Sequence, residues 1–382
     1  MKRFKILFLV ILILVSANQI NAQVPDIVKV DKISGTYREF VTISGSGFSE
    51  SKVDLSVHFG ASKGLILNST EYLIEVLAPA GTTYNNVSVT NLKSHSTGYS
   101  KNYFNLAFKG INFEATRIKE SLRIKEDIAL FDLCNCDFNG DGLNDVATTN
   151  NSDEASTTSI SVYQNITSPD ELEINFQKIY DVNLNIGRAA RNLICGDLDG
   201  DGKPELIVGK GGGNADRIYI FKNISSTGIK FNPFITILLS ENVTSSSTRR
   251  LKIHDLDKDG KPDIIMTDQG EGKVYIFANK STANGIEFPS GSRQTIQTSA
   301  GSLVGLDVAD LNNDNKPEII CNSDKSDVFL IPNQSIAGTI KMGSPEKKTI
   351  AGANLVNIKI GDLDNDGDKD IAITNFVNNI YV

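Results

Sequence analysis

From about residue 25 the chain alternates apolar and polar positions in short runs broken by Asn, Asp, Gly and Ser, which predicts β-strands joined by turns. Between 25 and 108 the runs are Val41-Thr42-Ile43, Ser56-Val57-His58-Phe59, Leu73-Ile74-Glu75-Val76 and Val87-Ser88-Val89-Thr90, punctuated by Gly45-Ser46-Gly47 and Pro79-Ala80-Gly81. That spacing predicts a small antiparallel sandwich. Beyond 109 the character changes. Continuous apolar runs appear at Leu206-Ile207-Val208, Ile264-Ile265-Met266, Ile319-Ile320 and Ile371-Ala372-Ile373, which predict short buried strands. Each follows an alternating stretch such as Leu251-Lys252-Ile253-His254 and precedes another such as Ile218-Tyr219-Ile220-Phe221 or Val274-Tyr275-Ile276-Phe277. An Ile-x-Phe triplet, at Ile111, Ile174, Ile229 and Ile286, predicts one strand more, giving four strands per unit of about 55 residues.

Between the alternating stretch and the apolar run, every unit carries a nine-residue acidic loop. Its positions 1, 3, 5, 7 and 9 are Asp137, Asn139, Asp141, Leu143 and Asp145 in the first copy, and Asp197, Asp199, Asp201, Lys203 and Glu205 in the second. The third copy has Asp255, Asp257, Asp259, Lys261 and Asp263; the fourth has Asp310, Asn312, Asp314, Lys316 and Glu318. The fifth has Asp362, Asp364, Asp366, Asp368 and Asp370. Calcium takes six to eight oxygen ligands. A tight loop can aim side chains 1, 3 and 5 at one centre, offer the carbonyl of position 7 and return a carboxylate from position 9. Position 6 is Gly142, Gly202, Gly260 and Gly367 in four copies and Asn315 in the fourth, the residue types that best tolerate a left-handed turn. Three or four carboxylates within nine residues repel one another unless a cation joins them. The expected cofactor is therefore Ca2+, at about five sites. An EF-hand would need an acid at position 12, where Thr148, Val208, Met266, Cys321 and Ile373 stand, and helices on both sides.

Two family resemblances follow from these residues. Ser34-Gly35, the Val-Thr-Ile-x-Gly-x-x-Phe run, Val-x-Phe-Gly and Ala-Pro-x-Gly stand in the order of IPT/TIG immunoglobulin-like domains. The five acidic loops between strands resemble FG-GAP/VCBS repeats, the propeller type found at the head of integrin α chains. The resemblance implies an all-β fold: an Ig-like β-sandwich over 25–108, then a β-propeller of four-stranded blades over 109–382. It also implies that the loop residues named above are metal positions. Five units are fewer than the seven blades common in that family, so further units are expected beyond residue 382. The rival is a five-bladed ring whose last blade borrows a strand from near Phe104 to Phe113.

Lys2, Arg3 and Lys5 precede ten apolar residues, Ile6 to Val15, too few to span a bilayer. Residues 1–22 therefore read as an export signal, placing the protein outside the cell or on its surface with no membrane span after cleavage. The net charge of −8 is concentrated, since the loops hold 19 of the 46 acidic residues, and no basic stripe suggests nucleic acid. The four cysteines do not read as a disulfide scaffold: Cys195 and Cys321 replace aliphatic residues of sibling units and read as core residues, and Cys134 and Cys136 are two apart, a spacing that rarely closes a disulfide, with no partner pair to complete a zinc site. No nucleophile elbow, zinc-protease or P-loop pattern occurs, and Gly209-Lys210-Gly211-Gly212-Gly213 reads as a hairpin. The expected function is non-enzymatic: a monomeric calcium-binding adhesion or ligand-binding protein with a protein or glycan partner. The alternative is the non-catalytic portion of a longer secreted polysaccharide-degrading enzyme.

Overall fold

The computed structural model describes residues 24–80, 82, 85–106, 130–150, 159–168, 174–183, 190–210, 217–226, 228–233, 235–238, 248–282, 284–350, 354–363, 368–376 and 380–382. Residues 1–22, where an export signal is expected, the triplet at 111–113, glycines 211–213 and loop positions 364, 366 and 367 lie outside them. Within them the protein is built of strands.

The first domain holds β1 (Asp26–Val30), β2 (Ser34–Gly35), β3 (Phe40–Ser46), β4 (Leu55–Phe59), β5 (Ser62–Lys63), β6 (Leu65–Ser69), β7 (Leu73–Leu77), β8 (Asn85–Asn91) and β9 (Ser96–Leu106). They form two sheets, β1-β3-β7-β6 and β2-β9-β8-β4-β5. Alternate residues of each face inward, so Val41, Ile43, Val57, Phe59, Ile74, Val76, Val87 and Val89 fill one core. Phe59 and Phe104 close it edge to face at 4.9 Å between ring centres.

Five sheets follow. The first contains β10 (Leu130–Cys136), β11 (Asp145–Asn150), β12 (Ser159–Asn165) and β13 (Phe176–Asn183). The second contains β14 (Ala190–Gly196), β15 (Glu205–Lys210), β16 (Arg217–Phe221) and β17 (Ile235–Leu238). The third contains β18 (Thr248–His254), β19 (Asp263–Asp268), β20 (Lys273–Phe277) and β21 (Arg293–Gln297). The fourth contains β22 (Leu303–Ala309), β23 (Glu318–Ser323), β24 (Asp327–Ile331) and β25 (Glu346–Thr349). The fifth contains β26 (Leu355–Gly361), β27 (Asp370–Asn375) and β28 (Ile380–Tyr381). Every neighbouring pair is antiparallel, and the first pair of each sheet carries a register shift at the same place, as between Ala190 and Asn192 or Thr248 and Arg250. First strands of successive sheets pack on one another, β10 on β14, β14 on β18, β18 on β22 and β22 on β26.

This stacking explains the apolar runs. A second strand lies between the sheet before and the sheet after, so β19 and β23 are buried at every position. One apolar cluster spans the first and second sheets, another the second and third, another the third and fourth, and a smaller one the fourth and fifth. Among the described residues the array stays open at its leading face. Leu133 is 62% exposed, whereas Leu193, Leu251, Leu306 and Ile358 at the same repeat position are buried. Beside β28, a cleft of about 630 Å3 lined by Ile320, Val328, Leu330, Ile371, Ile373 and Tyr381 separates the fourth and fifth sheets.

Two expectations are corrected. Cys136 and Cys195 form a disulfide between β10 and β14, while Cys134 and Cys321 are free and buried. Cys136 lies one residue before its loop and Cys195 two before the next, so adjacent first strands turn these side chains toward each other. Spacing within one strand does not reveal such a pair. The Ile-x-Phe triplets at 229–231 and 286–288 are not strands beyond an isolated bridge at Phe231. They fold back as packing anchors, with Phe231 edge to face on Phe138 at 5.3 Å. The fourth strand comes later, at β17, β21 and β25, and β25 is exposed at every position because it has no sheet on its outer side. Among the described residues no helix is long and apolar enough to cross a membrane.

Candidate metal centres

Each acidic loop joins the first strand of its sheet to the second, from β10 to β11 and onward through β26 to β27. Its fold is written by its own carboxylates. Position 1 accepts backbone N–H groups across the turn: Asp197 from Gly200 at 2.8 Å and Gly202 at 2.9 Å, Asp255 from Asp259 at 3.2 Å and Gly260 at 2.9 Å. Position 5 accepts from position 7, as Asp201 does from Lys203 at 3.0 Å and Asp259 from Lys261 at 3.1 Å. Position 9 accepts from position 2 in all five copies, through Asp145, Glu205, Asp263, Glu318 and Asp370 at 2.8–3.0 Å. Position 6 turns with φ of 88° at Gly142, 79° at Gly202, 82° at Gly260 and 66° at Asn315.

Position 3 is different. Asp257 is 2% exposed, and neither of its carboxylate oxygens has a hydrogen-bond partner. Asp199 is 3% exposed with Oδ1 likewise unpartnered, while its Oδ2 pairs with Lys222. Asp310 Oδ1, at position 1 of the fourth loop, is also buried without a partner. A buried carboxylate oxygen that accepts nothing costs free energy unless a cation takes it up. Ligand atoms of Asp197, Asp199 and Glu205 lie within 4.8 Å of one another, as do those of Asp255, Asp257 and Asp259. All are hard oxygens, with no thiolate or imidazole among them, a donor set suited to Ca2+. The residues present fit the ion in the second and third loops.

Electrostatics agree. Burial first, then neighbouring carboxylates, pushes Asp197 up to about 7, Asp255 to about 7 and Asp263 to about 8. Burial also raises Asp145 to about 7 and Glu205 well above the usual carboxylate range. Two ammonium groups lean into the cluster: Lys222 toward Asp199 and Asp201, and Lys280 toward Asp259 at 3.2 Å. Asn139 donates to Asp141 at 2.9 Å in the first loop, and Asn312 donates to Glu318 at 3.3 Å in the fourth. Leu143, Lys203, Lys261 and Lys316 hold position 7 of their loops. In the fifth loop Asp362, Asp368 and Asp370 are described, and Asp368 accepts from Asn313 of the fourth loop at 3.2 Å.

One set of residues escaped the sequence reading. Asn223, Asn279 and Asn333 stand two residues past the ends of the third strands of their sheets and are buried. Each donates to the carbonyl of position 8 in its own loop and of position 2 in the preceding loop. For Asn279 these are Pro262 at 2.9 Å and Leu198 at 2.7 Å. Asn223 reaches Pro204 and Phe138, and Asn333 reaches Pro317 and Leu256. Each also accepts from the N–H two residues on, at Ser225, Ser281 and Ser335. The signal was an Asn-x-Ser triplet recurring after the third strand, a pattern too common in turns to stand out.

Residues 25–109 match the IPT/TIG domain, and residues 137–208 and 255–321 match the FG-GAP-like repeat. No curated protein matches the chain. An auxiliary nutrient binding protein from Bacteroides thetaiotaomicron is 10% identical over 92% of this chain and 81% of its own, with a TM-score of 0.33. A rhamnogalacturonan lyase from Bacillus licheniformis is 14% identical over 93% of this chain and 66% of its own, with a TM-score of 0.40.

Proposed function

This chain is an IPT/TIG domain followed by FG-GAP-like repeats, and on that footing we propose that it is an exported calcium-binding protein whose repeats present a surface to an extracellular protein or glycan. The observation that carries the calcium reading is Asp257, buried with both carboxylate oxygens unpartnered inside a cluster of three acids. The ion would be held by the carboxylates of positions 1, 3 and 5 in the third loop and of positions 1, 3 and 9 in the second, adding to the single ammonium group that Lys280 or Lys222 brings to each. Export is supported by the basic and apolar leader and by the Cys136–Cys195 disulfide, a bond that persists in oxidising compartments.

Binding is a better reading than catalysis because the groups that do acid–base chemistry are otherwise engaged. Loop carboxylates at positions 1, 5 and 9 fold their own loops, and Asp199 and Asp257, which keep unpartnered oxygens, are the cation ligands of this reading. The chain has three histidines: His58 is buried and held down to about 4 by desolvation, His95 bonds the Asp199 carbonyl at 3.1 Å, and His254 lies against Tyr99. None stands in an open cleft with a nucleophile. An array of glycans and matrix proteins, probed with the exported chain in calcium and in chelator, tests the function. Calcium-dependent capture of one ligand class is expected; turnover of a captured glycan would contradict the non-enzymatic reading.

A further inference from the structure

The outer face of the β2-β9-β8-β4-β5 sheet should be open to water if the sandwich were a free module. Ser56 and Thr90 point to that face, opposite the core residues Val57 and Val89, yet they are 0% and 1% exposed. The loops of the repeats cover them. The Thr97 N–H donates to the Gly260 carbonyl at 2.7 Å, and the Asp137 N–H to the Ala61 carbonyl at 3.0 Å. The Lys63 N–H donates to the Asp137 carboxylate at 3.3 Å, and Ser62 pairs with Asn144. His95 meets the carbonyl of Asp199 in the second loop, and Lys369 of the fifth loop stacks over Tyr103 at 4.0 Å.

The glycines of the loops show how close the fit is. A Cβ at Gly200 would lie 2.5 Å from the His95 carbonyl carbon, one at Gly202 3.0 Å from Ser56 Cβ, and one at Gly260 2.8 Å from Ser96 Cβ. Asn315 holds the same loop position and the same left-handed turn as Gly202 and Gly260 while carrying a side chain. The turn alone therefore does not demand glycine there; the approach of the sandwich does.

We propose that the sandwich and the repeats form a calcium-set joint, in which the polar face of the β2-β9-β8-β4-β5 sheet docks on the first three loops and occupancy of those loops fixes the orientation of the two domains. This rests on the calcium reading of the loops. Two docking atoms, the Gly260 and Asp199 carbonyls, are parts of the same turns that carry the clustered acids, and the Asp137 N–H and carboxylate belong to the matching turn of the first loop. Without a cation, repulsion among Asp255, Asp257 and Asp259 opens the turn and moves the carbonyls the sandwich reads. Coupling is reciprocal, so docking must tighten calcium binding by the factor by which calcium tightens docking.

The test uses the full exported chain with spin labels on Leu67→Cys, on the far sheet of the sandwich, and Lys348→Cys, on exposed β25; the native free thiols Cys134 and Cys321 are buried. The label distance distribution is measured with calcium and with chelator, and calcium binding is measured in parallel by titration calorimetry. A narrow distribution in calcium that broadens in chelator is expected. Gly202→Asn with Gly260→Asn, which keeps the turn as Asn315 does, should stay broad in both and weaken calcium binding by roughly 5–150-fold. Ser56→Lys should do the same without altering any loop. Calcium heats with an unchanged narrow distribution would overturn the joint and leave the calcium reading standing. Absence of calcium heats would overturn the calcium reading itself.

Discussion

At position 3 of its loop, Asp257 carries two buried carboxylate oxygens that accept no hydrogen bond, while its neighbours Asp255 and Asp259 spend theirs on backbone N–H groups. That division of labour separates residues that shape the loop from the one most exposed to electrostatic cost. Replacing Asp257 by Asn removes a repelling charge from the empty loop and a ligand from the filled one. Asp257→Asn is therefore expected to raise the melting temperature in chelator and to lower the calcium stoichiometry by one site in calorimetry. Unchanged stoichiometry would show that the third loop is not a metal site. Asn279 belongs to the other class. Its side chain ties two loops together and is 0% exposed. Truncation to Ala leaves buried carbonyls without donors, so Asn279→Ala should cost about 1–3 kcal/mol in urea unfolding whether or not calcium is present.

The loops as elements should also set how stability responds to pH. Folded, calcium-free loops hold protons on Asp263 up to about 8 and on Asp145, Asp197 and Asp255 up to about 7, against about 4 when unfolded. The folded state then binds more protons than the unfolded state, so stability falls as pH rises through that range. Buried His58 and His254, held low by desolvation, act in the opposite direction up to about pH 6.5. Glu39 and Asp54, lowered by Lys32 and Lys93, matter only below about pH 4. Among the described residues the loops dominate between about pH 6.5 and 8. The urea midpoint in chelator should fall across that window, and calcium, which displaces those protons, should abolish the fall. A midpoint in chelator that rises instead would contradict the assignment.

The elements also show what a sequence can reveal. Position 1 is Asp in every loop, and its backbone bonds recur from copy to copy, so the loops were legible. Buried β15, β19 and β23 were legible for the same reason, since both faces need apolar residues. The edge strand Glu346–Thr349 was not, because four exposed residues need no pattern. The Cys136–Cys195 bond was hidden because it joins different positions of two repeats.

At the scale of the molecule, among the described residues one face of the repeats is taken by the sandwich. On the calcium reading, the ion acts on the whole array. Extracellular calcium modules bind at roughly 10⁻⁴ to 10⁻³ M. At about 1 mM free calcium, a site with a dissociation constant near 10⁻⁴ M adds about 1.4 kcal/mol. Five equal sites would add about 7 kcal/mol, comparable with a domain stability of about 5–15 kcal/mol. Such a contribution cannot be hidden in an unfolding experiment. The most direct measurement is the thermal unfolding of the protein at neutral pH, in millimolar calcium and in chelator. The calcium reading predicts a transition many degrees higher in calcium; superimposable curves would contradict it.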